Sequence, residues 1–366
     1  MTGEIMKDNI LVIGGYGQVG RNVCLELAKA VPGRVVAAGR DLEKARAFAE
    51  TTDGAVQARE VDISRDTGED IFDDLKLVVV CVPQEGSAFV ESCLNTGTHY
   101  VDISELYSFL STVEPLDDLA ESRGATALLS VGLSPGLTNL LVKHCVSQLD
   151  SAERAEIYIM VGDGNESGDS LNDLVLNQMT TDIVIPEDGT VGRYKPLTDG
   201  KTTTFPDDLG RRRAYRLEFP EPHVLPRTLG VNRVSHRTCT DSRFGTWTMH
   251  ALQRVGFWTL LRVSFIRSAI KRGLAGSSGS DVIAMKVIVS GERGGESVTL
   301  EAAATGHDMN VNTGRFAAII AEDIYSGEYP AGVHHIEEVF DLADVRTRME
   351  ADLRFHVDEP PELLET

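Results

Sequence analysis

The sequence is poor in positive charge. Among its 366 residues, 35 are lysine or arginine and 56 are aspartate or glutamate, which gives a formal net charge of −21. Nucleic acids and anionic membrane surfaces attract proteins with the opposite charge balance. We therefore expect neither a nucleic-acid partner nor a role at an anionic membrane surface.

Cysteines are few and scattered. No C-x-x-C pair occurs among the five of them, which are Cys24, Cys81, Cys93, Cys145 and Cys239. This pattern argues against a disulfide framework or a zinc site, and it is typical of small buried side chains in a reducing compartment. Because a strand pattern begins near the N-terminus, at Asn9, we expect no secretory signal and a cytoplasmic location.

A long apolar run is also missing. The most apolar late segment, residues 257–261, is flanked by Arg254, Arg262 and Arg267. It is too short and too charged to span a bilayer. We expect a helix over residues 248–270 that packs on the protein itself or on a second subunit, and we expect a homodimer.

The beginning of the chain carries a glycine fingerprint. An apolar strand pattern over residues 9–13 leads into Gly15, Gly17 and Gly20, which form G-x-G-x-x-G before an apolar helix pattern. In this context the first glycine permits the turn, the second leaves room for a pyrophosphate, and the third lets helix and strand pack closely. The helix N-terminus then receives the phosphates. The predicted dinucleotide contacts are Gly15, Tyr16, Gly17, Gln18, Val19 and Gly20.

The end of the next strand indicates which dinucleotide binds. An NAD site usually has a carboxylate here that accepts a hydrogen bond from the ribose 2′-hydroxyl. This chain has Gly39 followed by Arg40, and a guanidinium group suits a 2′-phosphate. The pattern favours NADP over NAD, the alternative being that Arg40 is a solvated loop residue. We interpret Asp41 as the cap of the following helix.

Strand and helix patterns alternate through the first 140 residues, which predicts an α/β fold with a Rossmann-type, doubly wound parallel sheet. After about residue 150 the strands become longer and more antiparallel. Two of them flank a turn-rich connection over residues 291–295, so we expect an α+β second domain for substrate binding or dimerisation. Residues 171–180 are predicted to form a helix, and residues 186–208 are expected to be irregular.

Ligands of an open parallel sheet lie at the carboxyl ends of its strands, and polar residues at those ends are therefore candidates. Asp62 or the Ile63 N–H can read the adenine amine, or Asp62 can simply form a turn with Ser64. Residues Val82 and Pro83 are expected beneath the nicotinamide ribose. Asp102 can orient the nicotinamide, bind a substrate amine, or cap the next helix.

A second glycine turn feeds another helix N-terminus. Ser134, Pro135 and Gly136 lead into an apolar helix pattern that contains Asn139. This arrangement suits a substrate carboxylate or the nicotinamide amide, and we predict that these four residues bind substrate. The alternative interpretation is a tight helix start.

Several of these segments resemble the saccharopine dehydrogenase family. They are residues 10–20, 38–40, 100–102, 132–141 and 332–340. The resemblance implies a Rossmann domain over residues 1–142, a substrate domain over residues 143–311, and C-terminal helices over residues 312–366 that return to the Rossmann domain. It also implies NAD(P)-linked chemistry at a carbon–nitrogen bond. Saccharopine reductases usually have aspartate where this chain has Ser134, which argues against saccharopine itself as the substrate.

Catalytic groups are not identified by the sequence. An amino-acid or imine substrate needs cations for its carboxylates, and the candidates are Arg211, Arg212, Arg213, Arg233, Arg237 and Arg243. The candidate general acids or bases are His236, His250 and His307. No Tyr-x-x-x-Lys occurs, which excludes the short-chain dehydrogenase mechanism. No third ligand accompanies His334 and His335, so we predict no metal site and interpret that pair as a helix N-terminus.

The leading interpretation is an NADP-dependent oxidoreductase that acts on a small molecule at the C–N bond of an amino acid or imine adduct. One alternative is reduction of an activated C=C or C=O bond, with the apolar segment around Trp258 lining a channel. Another is a non-catalytic sensor of NADP(H).

Overall fold

The computed structural model describes residues 7–65, 68–162, 164, 176, 178–187, 190–262 and 279–358. The chain forms two compact units. One consists of Met1–Leu137 with Asn310–Phe340, and the other of Thr138–Met309 with Asp341–Thr366.

Sixteen strands are defined in the described part of the chain. They are β1 (Asn9–Ile13), β2 (Val35–Gly39), β3 (Val56–Glu60), β4 (Leu75–Val80), β5 (His99–Asp102), β6 (Thr126–Leu129), β7 (Ser151–Val161), β8 (Ile183–Glu187), β9 (Thr190–Tyr194), β10 (Lys201–Phe205), β11 (Gly210–Arg216), β12 (Arg233–Thr240), β13 (Val282–Arg293), β14 (Glu296–His307), β15 (Gly332–His335) and β16 (Leu353–Val357).

Eleven α-helices are defined in the same residues. They are α1 (Gln18–Ala30), α2 (Leu42–Glu50), α3 (Ala88–Asn95), α4 (Tyr107–Val113), α5 (Asp117–Arg123), α6 (Leu137–Val146), α7 (Glu221–Thr228), α8 (Arg243–Arg254), α9 (Met309–Ser326), α10 (Ile336–Val339) and α11 (Leu342–Met349).

The first unit is built on a seven-stranded parallel sheet in the order β15-β6-β5-β4-β1-β2-β3. Strands β1 to β6 have the Rossmann order 3-2-1-4-5-6. The strand order reverses between β1 and β4. Strands of such sheets are covered on both faces and have continuous apolar sequences without alternating polar residues. The run Leu77–Val80 is of this kind, and all four of its residues are fully buried. The predicted fold class is confirmed.

The second unit contains a mixed seven-stranded sheet in the order β10-β11-β12-β7-β13-β14-β16 and a separate β8-β9 hairpin. Only β12 and β7 pair in parallel, while the other neighbours are antiparallel. The hairpin predicted around residues 291–295 is present, with Gly294 and Gly295 at φ +61° and +80° between β13 and β14.

Two predictions about this unit were wrong. Residues 186–208 are not irregular, because they include the end of β8, all of β9, and β10, where Thr203 and Phe205 point inward on alternating positions. The single helix predicted over residues 248–270 is instead α8 followed by a 3₁₀ segment, Phe257–Arg262, with Gly256 at φ +72° between them. Residues 263–270, and most of the helix predicted over residues 171–180, lie outside the described residues.

The apolar segment around Trp258 belongs to a core cluster. Its indole is buried with Leu176, Leu197 and Leu261, and its N–H donates to the Met249 carbonyl over 3.1 Å. Among the described residues, Trp258 is therefore part of a core. The channel that the sequence left open for this segment stays a prediction. Every helix among the described residues is too short or too polar to cross a membrane.

All five cysteines are free thiols, and all except the half-buried Cys81 are buried. Burial raises the pKa of Cys145 and of Cys239 to about 12, so these thiols are neutral at physiological pH. The four buried cysteines, Cys24, Cys93, Cys145 and Cys239, are the small buried side chains that the sequence predicted.

Candidate functional site

The turn between β1 and α1 leaves no space for side chains at its first and third glycines. A β-carbon on Gly15 would lie 2.8 Å from the Ala37 Cα on β2, and one on Gly20 would lie 2.1 Å from the Gly14 carbonyl oxygen. Gly14 itself has φ +76°, a left-handed conformation that glycine adopts without strain. The glycines therefore let strand, turn and helix pack in direct contact.

Gly17 has a different environment. It is the N-cap residue of α1, with φ −74° and ψ 177°, and a β-carbon there would meet only the Gly14 carbonyl oxygen, at 3.1 Å. Gly17 is exposed, and the first turn of α1 contains no acidic residue. The positive end of the helix dipole is thus accessible at this position, which suits a diphosphate.

Tyr16 occupies the space that a side chain at the end of β2 would need. A β-carbon on Gly39 would lie 2.6 Å from the Tyr16 hydroxyl oxygen, and that oxygen accepts a hydrogen bond from the Asp41 N–H over 3.1 Å. Asp41 Oδ1 accepts from the Lys44 N–H, also over 3.1 Å, which confirms its capping role. The carboxylate of an NAD site is thus absent at Gly39, and the exposed Arg40 follows it.

Asp62 is engaged in a local turn. Its Oδ1 accepts from the Ser64 hydroxyl over 2.6 Å and from the Ser64 N–H over 3.1 Å, and these bonds are the main reason why its pKa is lowered. The charge of Arg40 contributes a smaller lowering of the same pKa. The adenine contacts of Asp62 and Ile63 stay a prediction.

The end of β4 adjoins the glycine turn. A β-carbon on Gly14 would lie 2.6 Å from Val82 Cγ1. Ile13 pairs with Val80, and Val80 pairs with Asp102, so the ends of β1, β4 and β5 are aligned. The sheet thereby brings Val82 and Pro83, which follow β4, to the edge where a dinucleotide would continue beyond its pyrophosphate.

Asp102 is fully buried at the end of β5 and accepts three hydrogen bonds. Its Oδ1 accepts from the Ser104 N–H over 2.6 Å, and its Oδ2 accepts from the Tyr100 hydroxyl over 2.5 Å and from Gln84 Nε2 over 2.9 Å. Burial raises the pKa of Asp102 to about 6, although the three donors oppose this shift. The bond to Ser104 closes a local turn, and Asp102 does not cap the next helix, whose N-cap residue is Leu106. The carboxylate also orients the side chains of Tyr100 and Gln84.

Gln84 and Tyr100 were not predicted from the sequence. Gln84 Nε2 donates to the Tyr100 hydroxyl over 2.6 Å as well as to Asp102. Two signals were available, because Gln84 directly follows the Val82–Pro83 strand end, and Tyr100 lies two positions before Asp102 and so on the same face of β5. A buried polar network of this kind requires every member to be oriented by its neighbours.

The second glycine turn is also compact. The Ser134–Pro135 peptide bond is cis, Gly136 has φ +135°, and a β-carbon on Gly136 would lie 2.0 Å from the Gly132 carbonyl oxygen. In the second unit, Asn139 on α6 is fully buried, and the neighbouring Thr138 donates to the equally buried Glu221 over 2.9 Å. The substrate-binding roles of Ser134, Pro135, Gly136 and Asn139 stay predictions.

Of the candidate arginines, Arg237 is committed to an internal ion pair. It is 1% exposed and donates to Asp199 Oδ2 over 2.6 Å and to the Ser235 hydroxyl over 2.7 Å. Arg216, which was not predicted, donates to the same Asp199 oxygen over 2.7 Å. Because one carboxylate joins both guanidinium groups, Arg237 contributes to the fold of the second unit rather than presenting an open cation.

The three candidate histidines have separate surroundings. His236 is buried and stacks on Phe219 at 3.8 Å, and burial lowers its pKa to about 3, so it is neutral at physiological pH. His250 stacks on Tyr215 with its Nδ1 2.7 Å from the Leu197 carbonyl oxygen, and His307 pairs with Asp281. These surroundings do not select one of the three as a catalytic acid.

His335 caps a helix, as predicted. It is the N-cap residue of α10, its N–H donates to Glu338 Oε2 over 2.8 Å, and its Nδ1 lies 2.8 Å from the Ser130 hydroxyl. Within the described ranges, no three histidine, cysteine, aspartate or glutamate side chains are arranged to hold a metal ion.

Comparison with known proteins gives a family match within the first unit. Residues 10–128 match the family described as the saccharopine dehydrogenase NADP binding domain. The predicted resemblance is thereby confirmed for this segment, and NADP is the cofactor of the matching domain. No curated protein sequence matches the chain.

Solved structures resemble a larger part of the chain. Saccharopine dehydrogenase (L-Glu forming) from Saccharomyces cerevisiae has a TM-score of 0.68 and 15% identity, over 96% of this chain and 100% of that chain. DAP dehydrogenase from C. glutamicum, solved with DAP, has a TM-score of 0.45 and 13% identity, over 94% and 99% of the two chains. A probable dehydrogenase from Thermotoga maritima has a TM-score of 0.46 and 11% identity, over 93% and 92%. The yeast structure establishes the fold.

Proposed function

We propose that this chain, in which residues 10–128 form a saccharopine dehydrogenase NADP binding domain, is an oxidoreductase acting at the carbon–nitrogen bond of an amino acid or imine adduct. The family match carries the proposal. The open helix N-terminus at Gly17 and the absence of a carboxylate at Gly39 support it, because they suit a diphosphate and a 2′-phosphate.

The residues at the carboxyl ends of the strands would hold NADP(H) in a definite order. The first turn of α1 would hold the pyrophosphate, Arg40 the 2′-phosphate, and Asp62 with Ile63 would border the adenine. Val82 and Pro83 would lie beneath the nicotinamide ribose. The bound cofactor supplies or accepts a hydride, while the protein orients the substrate and excludes water.

The substrate is proposed to be an amino acid or imine other than saccharopine. Ser134 provides a neutral hydroxyl where saccharopine reductases usually have aspartate. A carboxylate forms a charge-assisted hydrogen bond to a substrate ammonium group, which is about twice as strong as a neutral bond. Without that group, a substrate that depends on this ion pair binds less well.

A matrix of 2-oxo acids and amines tests the proposal. NADPH oxidation is followed by absorbance, and each 2-oxo acid is also assayed without amine. We expect oxidation that requires both reactants, with deuterium from labelled NADPH recovered on the carbon that becomes bonded to nitrogen. Absence of turnover with every pair would contradict the proposal, and turnover of a 2-oxo acid without any amine would indicate C=O reduction instead.

The homodimer and the cytoplasmic location stay predictions. Light scattering of the purified protein checks the first, and fractionation of the source cells checks the second.

A further inference from the structure

The hydrogen bonds of Gln84 fix the orientation of its side-chain amide. An ionised carboxylate only accepts hydrogen bonds, so the Gln84 group that faces Asp102 Oδ2 at 2.9 Å is the NH₂. The Tyr100 hydroxyl gives its one proton to the same Oδ2 and therefore accepts from the second N–H of Gln84, at 2.6 Å. Both amide hydrogens are thus used, and Oε1 points away from this pair.

Gln84 Oε1 is buried and has no hydrogen-bond partner among the described residues. The residue as a whole is only 8% exposed. An unsatisfied buried acceptor is costly and is uncommon in native proteins. Such an acceptor in a native protein calls for an explanation, and a bound ligand that donates to it is one.

The position of Gln84 in the sheet indicates which part of a bound dinucleotide lies near its Oε1 atom. Gln84 lies two residues after Val82, which contacts the glycine turn, and its partner Asp102 is on β5, two strands from β1. Neighbouring strands are about 4.8 Å apart, so β5 lies about 10 Å from the strand that leads to the pyrophosphate turn. A dinucleotide that crosses this edge reaches β4 and β5 with its nicotinamide half.

We propose that Gln84 Oε1 accepts a hydrogen bond from the carboxamide NH₂ of the nicotinamide ring, and that Tyr100 and Asp102 are positioning residues that hold the Gln84 amide in that orientation. The proposal rests on the NADP site described above. It makes Gln84 a determinant of cofactor specificity at the reactive end of the dinucleotide, whereas Arg40 acts at the other end.

Three nucleotides distinguish a hydrogen bond between the nicotinamide carboxamide and Gln84 from binding of the rest of the dinucleotide. They are NADP⁺, its 3-acetylpyridine analogue, whose acetyl group has no N–H donor, and 2′-phospho-ADP-ribose, which has no nicotinamide. Dissociation constants are measured by calorimetry. For the unmodified protein we expect about tenfold tighter binding of NADP⁺ than of the acetylpyridine analogue, the size typical of one hydrogen bond to a buried acceptor.

Two substitutions test the same point from the protein side. Gln84→Leu is expected to weaken NADP⁺ binding about tenfold while leaving the other two dissociation constants unchanged, and Tyr100→Phe is expected to reduce the preference for NADP⁺ partially. Gln57→Leu is the matched control. Gln57 lies on β3, the last strand in the order of the sheet, and donates to the carbonyl of Gly33 before β2. The dissociation constants of all three nucleotides should therefore stay unchanged in this variant.

Equal binding of NADP⁺ and the acetylpyridine analogue by the unmodified protein would overturn the proposal, and this measurement needs no variant to fold. A loss of affinity for all three nucleotides in Gln84→Leu would also overturn it, because it would indicate a purely structural role. If 2′-phospho-ADP-ribose binds but the protein does not distinguish NADP⁺ from the acetylpyridine analogue, only the inference about Gln84 is wrong. If no nucleotide binds, the proposed cofactor site is wrong as well.

Discussion

The carbonyl oxygen of Gly14 lies 2.1 Å from the position that a β-carbon on Gly20 would occupy. The same oxygen is 3.1 Å from a β-carbon on Gly17. Two glycines of one fingerprint are therefore required for different reasons. Gly20 is required for close packing of α1 on the turn, while Gly17 keeps the helix N-terminus accessible.

Substitution of these two glycines should separate binding from folding. Gly17→Ala has an allowed backbone conformation, so we expect a nearly unchanged melting temperature and at least tenfold weaker NADPH binding, because the methyl group occupies the space of the diphosphate. Gly20→Ala should lower the melting temperature strongly, since backbone atoms must move. Thermal unfolding and calorimetry check both variants, and unchanged NADPH affinity in folded Gly17→Ala would argue against the site.

Arg40 should determine the preference for the phosphorylated cofactor. Loss of a contact between a guanidinium and a phosphate costs about 1.5–3 kcal/mol, so Arg40→Ala should raise the KM ratio of NADPH to NADH by about one to two orders of magnitude. The control is Arg46→Ala on α2, which removes a solvent-exposed arginine paired with Glu43. A ratio that stays constant in Arg40→Ala would show that this side chain points elsewhere.

Asp102 should make stability depend on pH. Its folded-state pKa of about 6 is above the ordinary value of 3.8, so the protonated form stabilises the native state. This contribution is fully present below pH 3.8 and is lost as the pH rises through about 6.

The comparison with Asp102→Asn isolates this effect, because the other titrating groups cancel in the difference. Between pH 7.5 and 5.0, the free energy of unfolding of the unmodified protein should rise by about 1.4 kcal/mol relative to the variant. Urea-induced unfolding at a series of pH values measures it. A difference that does not change with pH would show that Asp102 titrates normally.

Ser134 should limit the use of saccharopine. Ser134→Asp introduces the carboxylate that saccharopine reductases usually have, and we expect kcat/KM for saccharopine to increase at least tenfold because a charge-assisted contact becomes available. Ser134→Asn, of similar shape but neutral, is the control and should produce no such gain. Equal kcat/KM values for the aspartate and asparagine variants would contradict a role for the charge at this position.

The Rossmann sheet could be predicted because its signals are local. The strand pattern before Gly14, the glycine turn and the helix after it are consecutive in the sequence, and so is the Asp41 cap of α2. Strand β10 was missed because its threonine-rich sequence resembles a loop. It becomes a strand by pairing with β11, where Thr203 lies opposite Arg212.

The contact between Gln84 and Asp102 shows that sequence analysis also misses pairings between distant segments within the site. Asp102 could be selected from the sequence as a polar residue at a strand end. Its contact with Gln84 could not be predicted, because Gln84 is 18 residues away and the contact depends on the register of β4 against β5. The surroundings of Arg237 likewise depend on Asp199, which is 38 residues away.

The most direct test of the account is a calorimetric titration of the unmodified protein with NADPH, NADP⁺, NADH and NAD⁺. We predict saturable binding at one site per chain, tighter for the two phosphorylated nucleotides, and displacement of NADPH by 2′-phospho-ADP-ribose. Absence of heat with all four nucleotides, in a protein shown to be folded by its cooperative unfolding, would contradict a dinucleotide site at the N-terminus of α1.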